Sequence, residues 1–201
     1  LLSARERIQV DGELISEEAF CKVEEKFFQA SLKMNDEQSF FERVTAMAIL
    51  HFAQVGVQAC VFEVGLGGRL DATNVLEPSV CGITQIALDH TGILGDTLAL
   101  IAREKAGIIK ANVPVVVAMQ DEEAKRAIAG VANKLEAPLF ALGKDILIKK
   151  VGDSFEVRDS LNKVLMPKVK APLQGAHQIE NAALACAMIE KSPFYVSLES
   201  R

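Results

Sequence analysis

Three short stretches of this chain carry side chains able to do chemistry. Glu63 comes near the end of an apolar run and is followed by the glycine-rich loop Gly65-Leu66-Gly67-Gly68. Asp89 and His90 end a second apolar run, and Lys105 follows on a segment of helical periodicity. An acid, an imidazole and an amine at the ends of strands suit a metal ion and a phosphate, because open α/β sheets bind ligands beyond the carboxyl ends of their parallel strands. Hard Mg²⁺ is held by carboxylates together with substrate phosphates. The glycines let the backbone turn sharply and come close to a ligand.

Each of these residues also has a plainer reading. A buried, uncompensated carboxylate is costly, so Glu63 either faces water at its strand end or pairs with a cation, and Asp89-His90 at the next strand end favours the cation. His90 alone would be a satisfied structural histidine. Leu98, Ile101, Ala102, Lys105, Ile108 and Ile109 follow the i, i+3, i+4, i+7 spacing of one helix face. Lys105 is then either a stem that snorkels to the helix end or a desolvated amine available for chemistry or modification.

Two nucleotide motifs are excluded or weakened. The third glycine of G-x-G-x-x-G is missing after Gly65 and Gly67, and Asp71, Thr73 and Asn74 make loop chemistry where a helix should start. The Gly143-Lys144 pair lacks the upstream glycine and the following hydroxyl of a Walker A loop.

The elements that must position these residues read as follows. A strand at 7–10 ends in the turn pair Asp11-Gly12, and Ser16 with Glu17 and Glu18 caps a helix to about Leu32. An apolar helix spans 40–54, and 59–64 reads as a central strand. Strands at 80–87, 113–119 and 138–141 then alternate with helices at 97–108 and 121–135. Strands apolar on both faces and separated by helices predict an α/β fold with a mostly parallel sheet flanked by helices. Past Gly143, alternating segments near 145–151, 154–158 and 163–169, with turns at Gly152-Asp153 and Ser160-Leu-Asn162, predict a small antiparallel β flap. A last helix spans 177–190, with Ile179, Ala182, Ala183 and Cys186 on its buried face and Asn181 beside them, in a structural or a ligand role.

Bulk properties narrow the function class. With 201 residues, 50% apolar and 24% charged, the chain is long enough for a well-buried core and too apolar for disorder. A formal net charge of −5 and a pI near 5.3 argue against binding nucleic acid by counterion release. Cysteines 21, 60, 81 and 186 show no metal-binding spacing and read as reduced core residues of a cytoplasmic protein. The charge-free run 44–62 is interrupted by Thr45, His51, Gln54 and Gln58, so it reads as a buried helix followed by a buried strand and not as a membrane span. The opening residues carry no signal-peptide pattern and no initiator methionine, and the chain is expected to be a fragment.

The strings EVGLGGRLDATNV, ITQIALDHTGILGDTL and IAREKAGIIK, flanked by RERIQVDGELIS, SFFERVTAMA and HQIENAALA, resemble the central motifs of the folylpolyglutamate synthase and dihydrofolate synthase family. That family is a branch of the Mur ligase superfamily, and the likeness runs over about residues 4–190. The resemblance implies an ATP-dependent ligase that phosphorylates a carboxylate and lets the amine of L-glutamate attack the acyl phosphate. It implies that Glu63 and His90 bind Mg²⁺ and that Lys105 is the carbamylated lysine. It further implies that Ser39, Phe40, Phe41, Glu42, Leu70, Asp71 and Ala72 contact the pterin substrate and that Asn181 contacts ATP. The implied partners are small molecules (folate or dihydropteroate, L-glutamate and ATP), with no nucleic acid and no membrane, for a full-length protein that is a monomer in the cytoplasm. The family's GTNGKGS-type phosphate loop, its S-P-H segment and its C-terminal domain have no counterpart in these residues. The expectation is therefore an incomplete ATP-binding central domain, inactive by itself. A non-catalytic remnant of the same fold and a nicotinamide-dependent oxidoreductase are the alternatives.

Overall fold

A computed structural model of the chain describes residues 2–34, 36–151, 154–170 and 175–194. The chain divides into two compact units, Leu1–Gly65 and Leu66–Arg201.

In the first unit, strands β1 (Gln9–Val10) and β2 (Glu13–Leu14) pair antiparallel. Asp11 and Gly12 between them both have positive φ, 53° and 82°, the hairpin geometry that an Asp-Gly pair favours. Helix α1 (Glu17–Ser31) starts as expected, with the Ser16 hydroxyl accepting the Ala19 N–H at 3.1 Å. Helix α2 (Phe40–Val55) ends at Gly56, whose left-handed φ of 70° closes the last turn. Ile8, Ile15, Val23, Val44, Met47 and Ala48 form the core of this unit.

The expected strand at 59–64 is corrected: the segment belongs to no ladder among the described residues. A strand exists only by pairing, and here Phe62 instead packs edge-on to Phe52 with ring centroids 5.8 Å apart. Val61 is left 94% exposed.

The second unit is built on a parallel sheet of β3 (Cys81–Ile83), β4 (Val115–Val117) and β5 (Leu139–Ala141), in that order and in register Cys81, Val115, Leu139. Pro114 and Pro138 immediately precede β4 and β5, where a missing N–H breaks no ladder bond. Their carbonyls accept the N–H of Cys81 at 2.9 Å and of Val115 at 2.8 Å. Val115 and Val117 pack against helices α4 (Leu98–Ala106) and α5 (Glu122–Lys134), with Ile101, Ala102, Ala106 and Ile128 buried beside them. Val116, on the other face, meets Ala183, Leu184 and Ala187 of helix α6 (Ala176–Lys191). The run of three valines is buried on both faces, as its unbroken apolarity predicts.

Between β3 and α4 lies a one-turn helix α3 (Thr91–Leu94) that periodicity over so few residues could not reveal. The flap is as expected, an antiparallel meander of β6 (Ile146–Val151), β7 (Ser154–Asp159) and β8 (Val164–Lys170), and Phe155 and Val157 are buried in a cluster shared with α6. The expected turn at Gly152-Asp153 lies outside the described residues, while Asn162 takes a positive φ of 69° at the other turn. Among the described residues, no helix is long and apolar enough to cross a membrane.

The cysteines also need correction, because only two of the four contribute to the interior. All are free; Cys21 and Cys60 are exposed, Cys186 is half-buried, and burial pushes the Cys81 thiol up to about 11. Thiolate is the reactive form. Ellman titration of the folded protein at pH 8 is therefore expected to show two fast thiols, Cys21 and Cys60. Fast modification of Cys81 would mean that the sheet face beneath α4 opens readily.

Candidate functional site

The glycine-rich loop owes its shape to its own polar side chains. The Asp71 carboxylate accepts hydrogen bonds from the Thr73 N–H (2.9 Å), the Thr73 hydroxyl (2.6 Å) and the Leu66 N–H (3.1 Å), and it caps a 3-10 turn at Ala72–Val75. Asn74 reaches in two directions, donating to the carbonyls of Arg69 (2.9 Å) and Gly107 (3.1 Å). The Lys110 ammonium in turn donates to the Asn74 carbonyl at 2.8 Å.

These bonds hold the loop against the C-terminal end of α4. The Arg69 N–H donates to the Glu104 carbonyl at 2.9 Å, and its guanidinium pairs with the Glu104 carboxylate at 3.0 Å. That pair is largely solvated, so it adds little stability. The fit is made by the glycines: a Cβ on Gly68 would lie 2.7 Å and 2.8 Å from the carbonyl oxygens of Glu104 and Lys105, and a Cβ on Gly67 would lie 3.0 Å from Leu94 of α3. The glycines thus serve a backbone-to-helix approach, which differs from the strand-to-helix-N-terminus turn of a dinucleotide fingerprint.

Lys105 is displaced from its expected place. The buried stripe of α4 is Ile101, Ala102 and Ala106, so Ala106 takes the core position and Lys105 stands half-buried at the stripe's margin. Among the described residues its ammonium makes no hydrogen bond or ion pair. The loop and Lys105 are therefore neighbours, joined through the carbonyls at the end of α4.

His90 stands where the loop after β3 turns into α3, with φ 49° and ψ 36°. That left-handed backbone is uncommon for residues other than glycine, although histidine, asparagine and aspartate adopt it more readily than most, and Asp11, Asn112, Glu136 and Asn162 share it here. The Asp89 carboxylate accepts the His90 N–H at 2.8 Å, and its other oxygen lies 3.7 Å from His90 Nε2. Both side chains are exposed. The expected strand at 80–87 ends at Ile83, so His90 is carried on a loop and not on the strand itself.

The remaining predicted residues are distributed as follows. Glu63 is exposed, on the first unit. On the same unit, Ser39 and Glu42 bond each other at the start of α2, with the Ser39 N–H donating to Glu42 at 2.7 Å and the Glu42 N–H to the Ser39 hydroxyl at 3.3 Å. The Ser39 hydroxyl, and then its N–H, hold Glu42 below the ordinary carboxylate range. Phe40 is exposed beneath the Arg7 guanidinium, 5.9 Å from its ring centre, and the Phe41 ring lies against Gly65. In the second unit Leu70 is exposed and Ala72 half-buried. Asn181 is on the exposed side of α6, whose fully buried residues are Ala183, Leu184 and Ala187; of the expected face, Ala183 is buried and Ile179, Ala182 and Cys186 are half-buried.

Among the described residues, no group of three His, Cys, Asp or Glu side chains converges as a metal cage would. Asp89 and His90 offer two adjacent donors. Such a partial set suits a Mg²⁺ ion that keeps its waters and takes phosphate oxygens.

Sequence reading passed over Gln120 and Gly107, and took Asn74 only as loop chemistry without its contact to Gly107. Gln120 had a usable signal, since a polar residue directly after an apolar strand is the feature that marks Glu63 and Asp89.

A family model described as the Mur ligase middle domain matches residues 15–189. Among curated proteins, the mitochondrial folylpolyglutamate synthase of Bos taurus is 35% identical over 92% of this chain and 30% of its own length. The dihydrofolate synthase/folylpolyglutamate synthase of Bacillus subtilis is also 35% identical, over 94% of this chain and 46% of its own. Among solved structures, E. coli FolC in complex with DHPP and ADP superposes with a TM-score of 0.86 at 31% identity, covering 99% of this chain and 46% of that one. The chain thus spans less than half the length of these relatives.

Proposed function

The chain belongs to the Mur ligase middle-domain family, and from that we propose that it is the ATP-binding part of a ligase that joins L-glutamate to a folate or dihydropteroate. The observation that carries this reading is that the motif-bearing loop and the lysine segment are interlocked. Asp71, Asn74, Gly68 and Gly107 build one rigid seat beside Lys105. Relatives that span 92–94% of the chain at 35% identity carry the names of folate ligases, which supports the substrate class.

In the proposed reaction a carboxylate oxygen of the folate attacks the γ-phosphorus of ATP, ADP leaves, and an acyl phosphate forms. The amine of L-glutamate then attacks the acyl carbon, phosphate departs with the C–O bond electrons, and the amine loses a proton. Electrostatic stabilisation of the transferring phosphoryl group is the main demand on the protein. Glu63 and His90 would each offer a ligand to Mg²⁺, with Asp89 beside His90 as a further donor, and the ion when bound would neutralise phosphate charge. Lys105 would carry a carbamate, formed when its neutral amine bonds to the carbon of CO₂ and a proton is lost, giving an anion able to bind a cation. Ser39 to Glu42 and Leu70 to Ala72 would contact the pterin, and exposed Asn181 would meet the nucleotide. A cytoplasmic monomer goes with this reading, although the Bos taurus relative is named mitochondrial.

The deciding assay uses the whole protein with ATP, L-glutamate and either dihydropteroate or a reduced folate. Mass spectrometry is expected to show acceptor extended by one glutamyl residue, with one ADP released per product. ADP release that ignores glutamate, or no extended acceptor with either compound, would overturn the proposal.

A further inference from the structure

We propose that Gln120 is a positioning residue for Asp89-His90, the side chain by which the end of β4 holds the loop that carries them. The inference rests on the site reading above for its functional half.

Backbone pairing between β3 and β4 runs out immediately after the strands, with the Ala118 N–H donating to the Ile83 carbonyl at 2.9 Å. Beyond that point Thr84 and Ile86 still expose a carbonyl and an N–H toward the end of β4. The carboxamide of Gln120 takes both, its Nε2 donating to the Thr84 carbonyl at 2.7 Å and its Oε1 accepting the Ile86 N–H at 2.9 Å. An amide side chain has a donor and an acceptor in one plane, so it can stand in for one more residue of ladder. Ile86 is only 2% exposed, and its N–H has little water to fall back on.

Three residues further on, the Glu123 carboxylate accepts the Ala99 N–H at 3.2 Å, one of the orphan donors in the first turn of α4. The arch 87–98, with Asp89, His90 and α3, is therefore pinned at both feet from one short stretch, Gln120 to Glu123. A left-handed backbone at a histidine persists only where its surroundings over-determine it. These two anchors are such a restraint.

The test compares Gln120→Ala and Gln120→Glu with the unaltered whole protein. Amide exchange is read at Ile86 and across 87–91, and kcat and KM are read with saturating ATP and acceptor. Alanine is expected to speed Ile86 exchange roughly 10- to 100-fold and to lower kcat by a similar factor, with the KM for the acceptor nearly unchanged. Glutamate keeps the acceptor for Ile86 but cannot donate to Thr84 when ionised, so it should fall between. Unchanged exchange over 84–91 in both variants would overturn the anchoring. Faster exchange with wild-type kcat would overturn the positioning role and leave a purely structural residue. If the unaltered protein fails to ligate glutamate, the site reading is what fails, and a nucleotide-affinity loss in the alanine variant then replaces kcat as the deciding measurement.

Discussion

Lys105→Ala in the whole protein is expected to cut glutamate ligation by roughly 10²-fold or more while folate affinity stays within about twofold, the scale seen when one electrostatic contributor to a transition state is removed. Three observations set this expectation. Lys105 sits at the margin of the α4 stripe, so its stem can be trimmed without opening the core filled by Ile101, Ala102 and Ala106. Its ammonium has no polar partner among the described residues. The loop 66–74 is docked on its carbonyl and not on its side chain, so the loop should survive the change. Loss of activity without loss of stability would therefore support the proposed charge at Lys105. Millimolar acetate or formate should restore part of the rate if a carboxylate-like anion is what is missing. A wild-type rate in the alanine variant would reduce Lys105 to a snorkelling side chain.

Gly107→Ala is expected to destabilise the protein by about 3 kcal/mol, at the upper end of what overpacking costs. The new Cβ would lie 2.4 Å from the Arg69 Cβ and 2.5 Å from its Cα. Neither atom can yield easily, because the Arg69 N–H is held by Glu104 and its carbonyl by Asn74. The sign makes this informative. Gly107 has φ −62° and ψ −10°, a conformation alanine adopts freely, and by propensity alone the change at this helix end would stabilise. Urea unfolding should show the midpoint falling at constant slope. A midpoint that holds or rises would mean that the loop does not touch the helix end as described.

The parts legible in the sequence were those fixed by nearest neighbours. The burial of Val115 to Val117 on both faces, the Asp11-Gly12 turn and the Ser16 cap each depend on a few adjacent residues. The loop's importance was legible from its composition, but its construction was not, since Gly68 meets Glu104 and Lys105, and Gly107 meets Arg69, 36 to 38 positions away. The strand lengths failed for a related reason. An apolar run marks what is buried, whereas a strand ends where its neighbour stops pairing, and at 84–86 a side chain replaces that neighbour. At 59–64 apolarity without a partner gave no strand at all. Lys105 was misplaced by about one helical position because the i, i+3, i+4 rule defines a stripe and not its centre line.

The backbone at His90 has a consequence for evolution in the laboratory. Glycine or asparagine would occupy φ 49°, ψ 36° with less strain than an imidazole-bearing residue. A library sorted for heat resistance alone would therefore drift away from histidine at this position, and the drift would register as improvement until catalysis was measured. If His90 serves the proposed site, stability and activity pull on position 90 in opposite directions, and a stabilised form of this protein is then to be sought elsewhere in the chain with that residue held constant.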